Sequence, residues 1–121
     1  MNGDLALSRP LSEPFVELVA ARLRLLGQPF RVRLIDRLDQ IGEAHVQQLA
    51  DELGTTQQNA SKHLTALWRS GVLARRNEGR LTVYWLADRD AWNVVQRTAA
   101  AIAERLRSQA HHLPPSPGTP G

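Results

Sequence analysis

The sequence predicts a mainly helical domain carrying one β-hairpin, in the order helix, helix, helix–turn–helix, hairpin, helix. Three observations carry that prediction. Apolar residues recur at three- and four-residue spacing between residues 13 and 71. From Val72 the period shortens, and two short runs rich in β-formers flank a polar stretch with a glycine. Helical spacing returns after Asp88 and continues to Leu106.

Each element has its own justification. Ser12 is the candidate N-cap of the first helix, and Pro14 suits its first turn, where no N–H partner is needed. Phe15, Leu18, Val19, Leu23 and Leu26 form its apolar stripe, and Gly27 ends it. Pro29 opens the second helix, with Val32, Leu34, Ile35 and Leu38 inside and Gly42 as the stop. Val46, Leu49, Ala50 and Leu53 make a short third helix that Gly54 terminates. Thr56 caps a fourth helix carrying Ala60, Leu64 and Leu67, stopped by Gly71. Val72-Leu73-Ala74 starts a strand, and Leu81 to Leu86 is its return. Arg75 to Arg80 reads as the loop between them, with Asn77 and Gly79 suited to positive φ. Asp88 starts the last helix, whose apolar face holds Ala91, Trp92, Val94, Val95, Thr98, Ala101, Ile102 and Leu106. Five helices and a hairpin in this order make a winged helix-turn-helix. It is expected over residues 13–108, after a flexible N-terminus (1–12) and before a disordered Pro/Gly-rich tail (109–121).

The chain's 121 residues allow one domain. Without cysteine there is no disulfide, thiolate metal site or thiol nucleophile. No apolar run approaches the ~18 residues of a membrane span, and the start lacks a secretory pattern. The expectation is a cytoplasmic protein with no membrane partner. No Walker loop, GxGxxG or Ser/His/acid set points to an enzyme, and no cofactor is expected. The formal net charge of +3 says little by itself. Its placement says more. Residues 53–87 contain Lys62, Arg69, Arg75, Arg76 and Arg80 against Glu78, a local +4, while the stretches on either side nearly balance.

The segment from Gln48 to Leu67 concentrates the functional signal. Ala50 is small where two helices cross, and Gly54 permits a left-handed turn. The outer side of the second helix carries Gln57, Gln58, Ser61, Lys62 and Thr65. Amides and hydroxyls suit base edges, and Lys62 suits guanine or phosphate. A solvated face would more usually carry several charges, so this face is read as a groove reader, with Thr56 near the backbone. Arg75, Arg76 and Arg80 around the glycine of the hairpin suit phosphate or a narrow minor groove, with Arg76 and Arg80 expected as the wing contacts. A charged, solubilising loop is the competing reading.

At this point the sequence resembles the ArsR-type (ArsR/SmtB) bacterial transcriptional regulators. The resemblance rests on Leu26 to Ile35, on Gln48 to Leu67 with Ser61, His63 and Leu64, and on Ser70 to Leu73 followed by Glu78-Gly79-Arg80 and Tyr84-Trp85-Leu86. It implies a homodimer joined through the first and last helices, with Phe15, Leu18, Val19, Trp92, Val95, Ala99, Ile102 and Leu106 at the interface. It also implies a repressor of a palindromic operator on double-stranded DNA, released by an inducer.

The sequence departs from the family at its metal sites. His45-Val46-Gln47 stands where many members have a cysteine pair. Asp88 and Glu104 match the zinc motif of the last helix, but Asp90 and Ala101 occupy the histidine positions. No metal site is expected. The inducer is left open, with a small organic molecule near Trp92 as one candidate. A winged helix serving protein–protein interaction is the alternative function. Of the histidines, His63 is expected at a helix crossing, His45 at a helix start, and His111-His112 in the tail. Trp68, Trp85 and Trp92 are expected to pack in the core or interface, with Trp68 partly exposed.

Overall fold

The computed structural model describes residues 8–112. Its elements are α1 (Glu13–Leu26), α2 (Pro29–Ile41), β1 (Glu43–His45), α3 (Val46–Glu52), α4 (Gln57–Arg69), β2 (Leu73–Glu78), β3 (Leu81–Leu86) and α5 (Arg89–His112). The sheet order is β1-β3-β2, antiparallel throughout. None of the helices among the described residues is long and apolar enough to cross a membrane.

The helix ends follow the expected punctuation. Ser12 stands at the N-cap of α1, but its side chain makes no cap hydrogen bond. Thr56 does cap α4: its Oγ1 accepts from the Asn59 N–H at 3.0 Å. His45 caps α3 in the same way, with Nδ1 accepting from Gln48 N–H at 3.2 Å. Between α3 and α4 the chain turns at Gly54, whose φ of 67° is the left-handed conformation that glycine adopts without cost.

The core lies where α2, α3 and α4 meet the sheet. Leu34, Ile35, Leu49, Ala50, Ala60, Leu64, Leu67 and Val72 are fully buried, and Leu38, Leu73 and Tyr84 nearly so. Ala50 and Ala60 face the α3–α4 crossing, where a larger side chain would push the helices apart. By contrast, α1 buries only Leu26 completely. Leu25 packs against the core and its carbonyl accepts from Arg31 at 3.2 Å, and Arg22 forms an ion pair with Asp88, just before α5.

Three expectations are corrected. The hairpin has a two-residue turn, Gly79-Arg80, because Glu78 already pairs with Leu81. Arg75 to Glu78 therefore belongs to β2 rather than to a loop, and Asn77 has no positive φ. Both faces of the outer hairpin are solvated, so Arg75 to Glu78 of β2 are all polar and show no alternation. Gly79 at φ 62° followed by a residue of negative φ is the pattern of a type II′ turn, which matches strand twist. Secondly, Glu43–His45 adds a third strand beside β3, pairing Glu43 with Trp85 and His45 with Val83. Thirdly, α5 runs to His112, past the boundary expected at residue 108 and into the expected tail. Ser108, Gln109 and Ala110 tolerate helix, an established helix extends at little cost, and the prolines begin only at residue 114. Residues 1–7 and 113–121 of the expected flexible ends lie outside the described residues.

Candidate nucleic-acid interface

The core positions of α4 point inward at Ala60, Leu64 and Leu67, which turns the opposite face outward. Gln57, Gln58, Ser61, Lys62, Thr65 and Arg69 line one open, shallow concavity on that face. Among the described residues none of these six makes a side-chain hydrogen bond or ion pair. Five of them are the expected groove residues. Arg69 is an addition that sequence reasoning passed over. Its signal was available: Gln58, Lys62, Thr65 and Arg69 follow four-, three- and four-residue steps along one helix face. Thr56, the sixth expected contact on this helix, lies exposed at the N-cap with its oxygen already accepting a hydrogen bond.

His63 anchors α4 from its inner side. Its ring lies 5.2 Å from that of Phe30, and its Nδ1 accepts from Arg31 Nε at 3.1 Å. That bond needs a lone pair on Nδ1 and so holds the neutral imidazole. Partial burial, with the Arg31 and Lys62 charges, keeps the His63 pKa below the ordinary histidine value.

The two hairpin arginines expected at DNA have different surroundings. Arg80, in the turn, is exposed and makes no ion pair among the described residues. Arg76 is enclosed by carboxylates. Its Nη1 and Nη2 donate to both oxygens of Glu43 at 2.9 and 2.7 Å, and its Nε donates to Glu78 at 2.8 Å. The same guanidinium lies 5.4 Å from the Trp85 ring. The forked bond from Arg76 draws the Glu43 carboxyl below its usual range, and the two carboxylates raise the pKa of Arg76. A phosphate at Arg76 would have to displace both acids. Arg75 is also engaged, with its guanidinium carbon 3.4 Å from the Trp68 ring centroid and Nη1 donating to Tyr84 Oη at 3.3 Å. Within the basic segment, the cations with no ionic or aromatic partner among the described residues are Lys62, Arg69 and Arg80.

On another side of the molecule, α1 and α5 present apolar residues to solvent. Val16, Leu18, Val19, Leu23, Val94, Ile102 and Leu106 are 38–65% exposed. A groove of about 310 Å³ between the helices is lined by Leu23, Leu26, Val32, Val95, Ala99 and Ile102, among others. Of the expected interface residues, Leu18, Val19, Ala99, Ile102 and Leu106 are exposed here. Phe15, Trp92 and Val95 are half-buried, the last two against the core.

The residues present do not fit the family's zinc site. Asp88 is paired with Arg22 and also caps α5 by accepting from the Asp90 N–H at 2.9 Å. Glu104 is paired with Arg107, and the imidazole positions hold Asp90 and Ala101.

The sequence matches the helix-turn-helix domain family over residues 26–76. It is 32% identical over 95 residues to the HTH-type transcriptional regulator Rv0081 of Mycobacterium tuberculosis, covering 78% of this chain and 83% of the relative. The chain belongs to the ArsR-type winged helix-turn-helix transcriptional regulators. The crystal structure of Rv0081 superposes on this regulator with a TM-score of 0.71 at 28% identity, over 82% of this chain and 99% of that one. A homodimeric winged helix-turn-helix DNA-binding domain from Mycobacterium bovis, described as a possible ArsR-family regulator, gives 0.69 at 26% identity, over 90% and 100%. The transcriptional repressor BigR of Xylella fastidiosa gives 0.65 at 28%, over 74% and 90%. The regulator shares the family's DNA-binding function, and its fold and family are those of DNA-binding proteins rather than enzymes.

Proposed function

We propose that this regulator is a cytoplasmic, non-enzymatic homodimeric repressor that inserts one α4 into the major groove at each half of a palindromic operator. The observation that carries this reading is the unpartnered outer face of α4, where amides and hydroxyls flank one lysine. Gln57, Gln58, Ser61 and Thr65 have the donor and acceptor groups for base edges, and Lys62 serves guanine or phosphate. Arg69 lies twelve residues beyond Gln57, about 18 Å along the helix axis, and the groove is only about 12 Å wide. With the N-terminal part of α4 in the groove, Arg69 reaches the flanking phosphates. Thr56 and Arg80 contact the backbone on either side. Arg76, expected as a wing contact, reaches DNA only by exchanging Glu43 and Glu78 for a phosphate. The exposed stripe of α1 and α5 supports dimerisation through the helices that the family resemblance implies. The misfit of the zinc positions favours an effector other than a transition metal.

The test is selection from a random duplex library, which should return an inverted repeat with half-sites about one helical turn apart. On that duplex Lys62→Ala should weaken binding and alter sequence preference. Arg69→Gln should weaken binding alike on all sequences and lower the salt slope by about 0.9 per protomer. No enriched palindrome, with binding insensitive to salt, would favour a protein-interaction module instead.

A further inference from the structure

We propose that Trp68 and Arg75 brace the wing against the recognition helix, which makes Arg75 a positioning residue and not a DNA contact. The proposal rests on the DNA-binding face described above and goes beyond it.

The need for a brace follows from the sheet. β1 pairs with β3 only from Val83 to Trp85. Beyond Val83 the hairpin is a two-stranded ribbon, from Asn77–Thr82 out to Glu78–Leu81. An isolated two-stranded ribbon is barely stable and twists freely. Arg75 pairs with Tyr84, one position inside the point where three-stranded support stops. Its guanidinium carbon lies 3.4 Å from the Trp68 ring centroid, within contact of a side chain in the last turn of α4. Its Nη1 also donates to the hydroxyl of Tyr84, a residue buried in the core. The three groups therefore join the end of α4, the base of the wing and the core.

The neighbouring arginine supports this reading. Successive strand residues face opposite sides, so Arg76 leaves the sheet on the side away from Arg75. There it is forked onto Glu43 at the start of β1. The wing base is thus held on both faces, on one to α4 and on the other to β1. What reaches the DNA is the turn with Arg80, and the brace sets where that turn stands relative to Lys62 and Arg69.

The test uses the whole chain and the duplex recovered by library selection. Trp68→Leu should weaken binding about two- to fivefold per wing, as loss of an exposed cation–π contact would. For a dimer using both wings this is about five- to thirtyfold. The slope of affinity against salt should not change, because no phosphate contact is lost. Arg75→Gln should give the same loss at the same slope, and the double variant should lose no more than either single one. Trp68→Phe, which keeps an aromatic face, should recover most of the affinity. A slope reduced by about 0.9 per wing in Arg75→Gln, with Trp68→Leu silent, overturns the brace and makes Arg75 a phosphate contact. A second readout needs no DNA. In Trp68→Leu the amide order parameters of residues 76–82 should fall from about 0.85 toward 0.6, while those of α2 and α4 hold. An unchanged wing in that measurement refutes the brace whether or not a duplex is ever selected.

Discussion

Replacing Ile102 by Glu should convert the proposed dimer to monomers at micromolar concentration. Ile102 is 54% exposed in the single chain and lines the groove between α1 and α5. Burying a whole isoleucine side chain is worth about 1.5–3 kcal/mol, so covering the exposed half contributes ~0.8–1.6 kcal/mol. Twofold symmetry repeats the contact, and its loss alone weakens association about 15- to 250-fold. Two carboxylates brought into an apolar seam add a further penalty. The seam can bear a stable dimer. Seven apolar residues on α1 and α5 are about half exposed, and covering them is worth ~5–10 kcal/mol per protomer. That is enough to offset an association cost of about 4–15 kcal/mol for the pair. Sedimentation velocity from about 1 to 100 μM, a range chosen to bracket micromolar affinity, measures the shift. Leu81→Ser is the control, because Leu81 is 47% exposed on the wing and away from this seam. If Ile102→Glu sediments as a dimer with unchanged affinity, the stripe is not the interface and the reasoning fails.

Other outcomes follow from the packing and the titrating groups. Leu64→Ala removes a fully buried side chain from the inner face of α4 and should cost about 2–5 kcal/mol of stability, read from the urea midpoint. Thr56→Ala removes the cap of the recognition helix and should cost about 0.5–2 kcal/mol, with thermal denaturation as the measure. His63 has a pKa below the ordinary value of about 6.5, so the unfolded chain takes up its proton first. Its contribution is complete above that pH and is lost as the pH falls from there through the folded-state value. Urea unfolding at pH 7.5 and 5.5 should therefore show a larger loss in the natural protein than in His63→Gln, and an equal loss in both would refute the assignment.

How much of this could be read from residues alone depended on the range of the interaction. Helix positions, the Thr56 cap, the Gly54 turn and the small Ala50 and Ala60 at the crossing all have local signatures within a few residues. The outer face of α4 follows from the same period, and Arg69 lay on that stripe. The third strand had no such mark: Glu43-Ala44-His45 is too short to show a period, and it is a strand because the edge of β3 was open to it. The arginines of the wing show the division most clearly. Their number and signs were evident in the sequence, and so was the local excess of +4. Which of them were free was decided by groups far along the chain or across a turn. Glu43, 33 residues away, holds Arg76, while Trp68 in the preceding helix holds Arg75. Sequence alone determined that a basic hairpin follows a polar recognition helix, because propensity and periodicity are local. The tertiary structure decided that Lys62, Arg69 and Arg80 carry the available charge, because an arginine's role depends on the carboxylates and rings that the fold brings within reach.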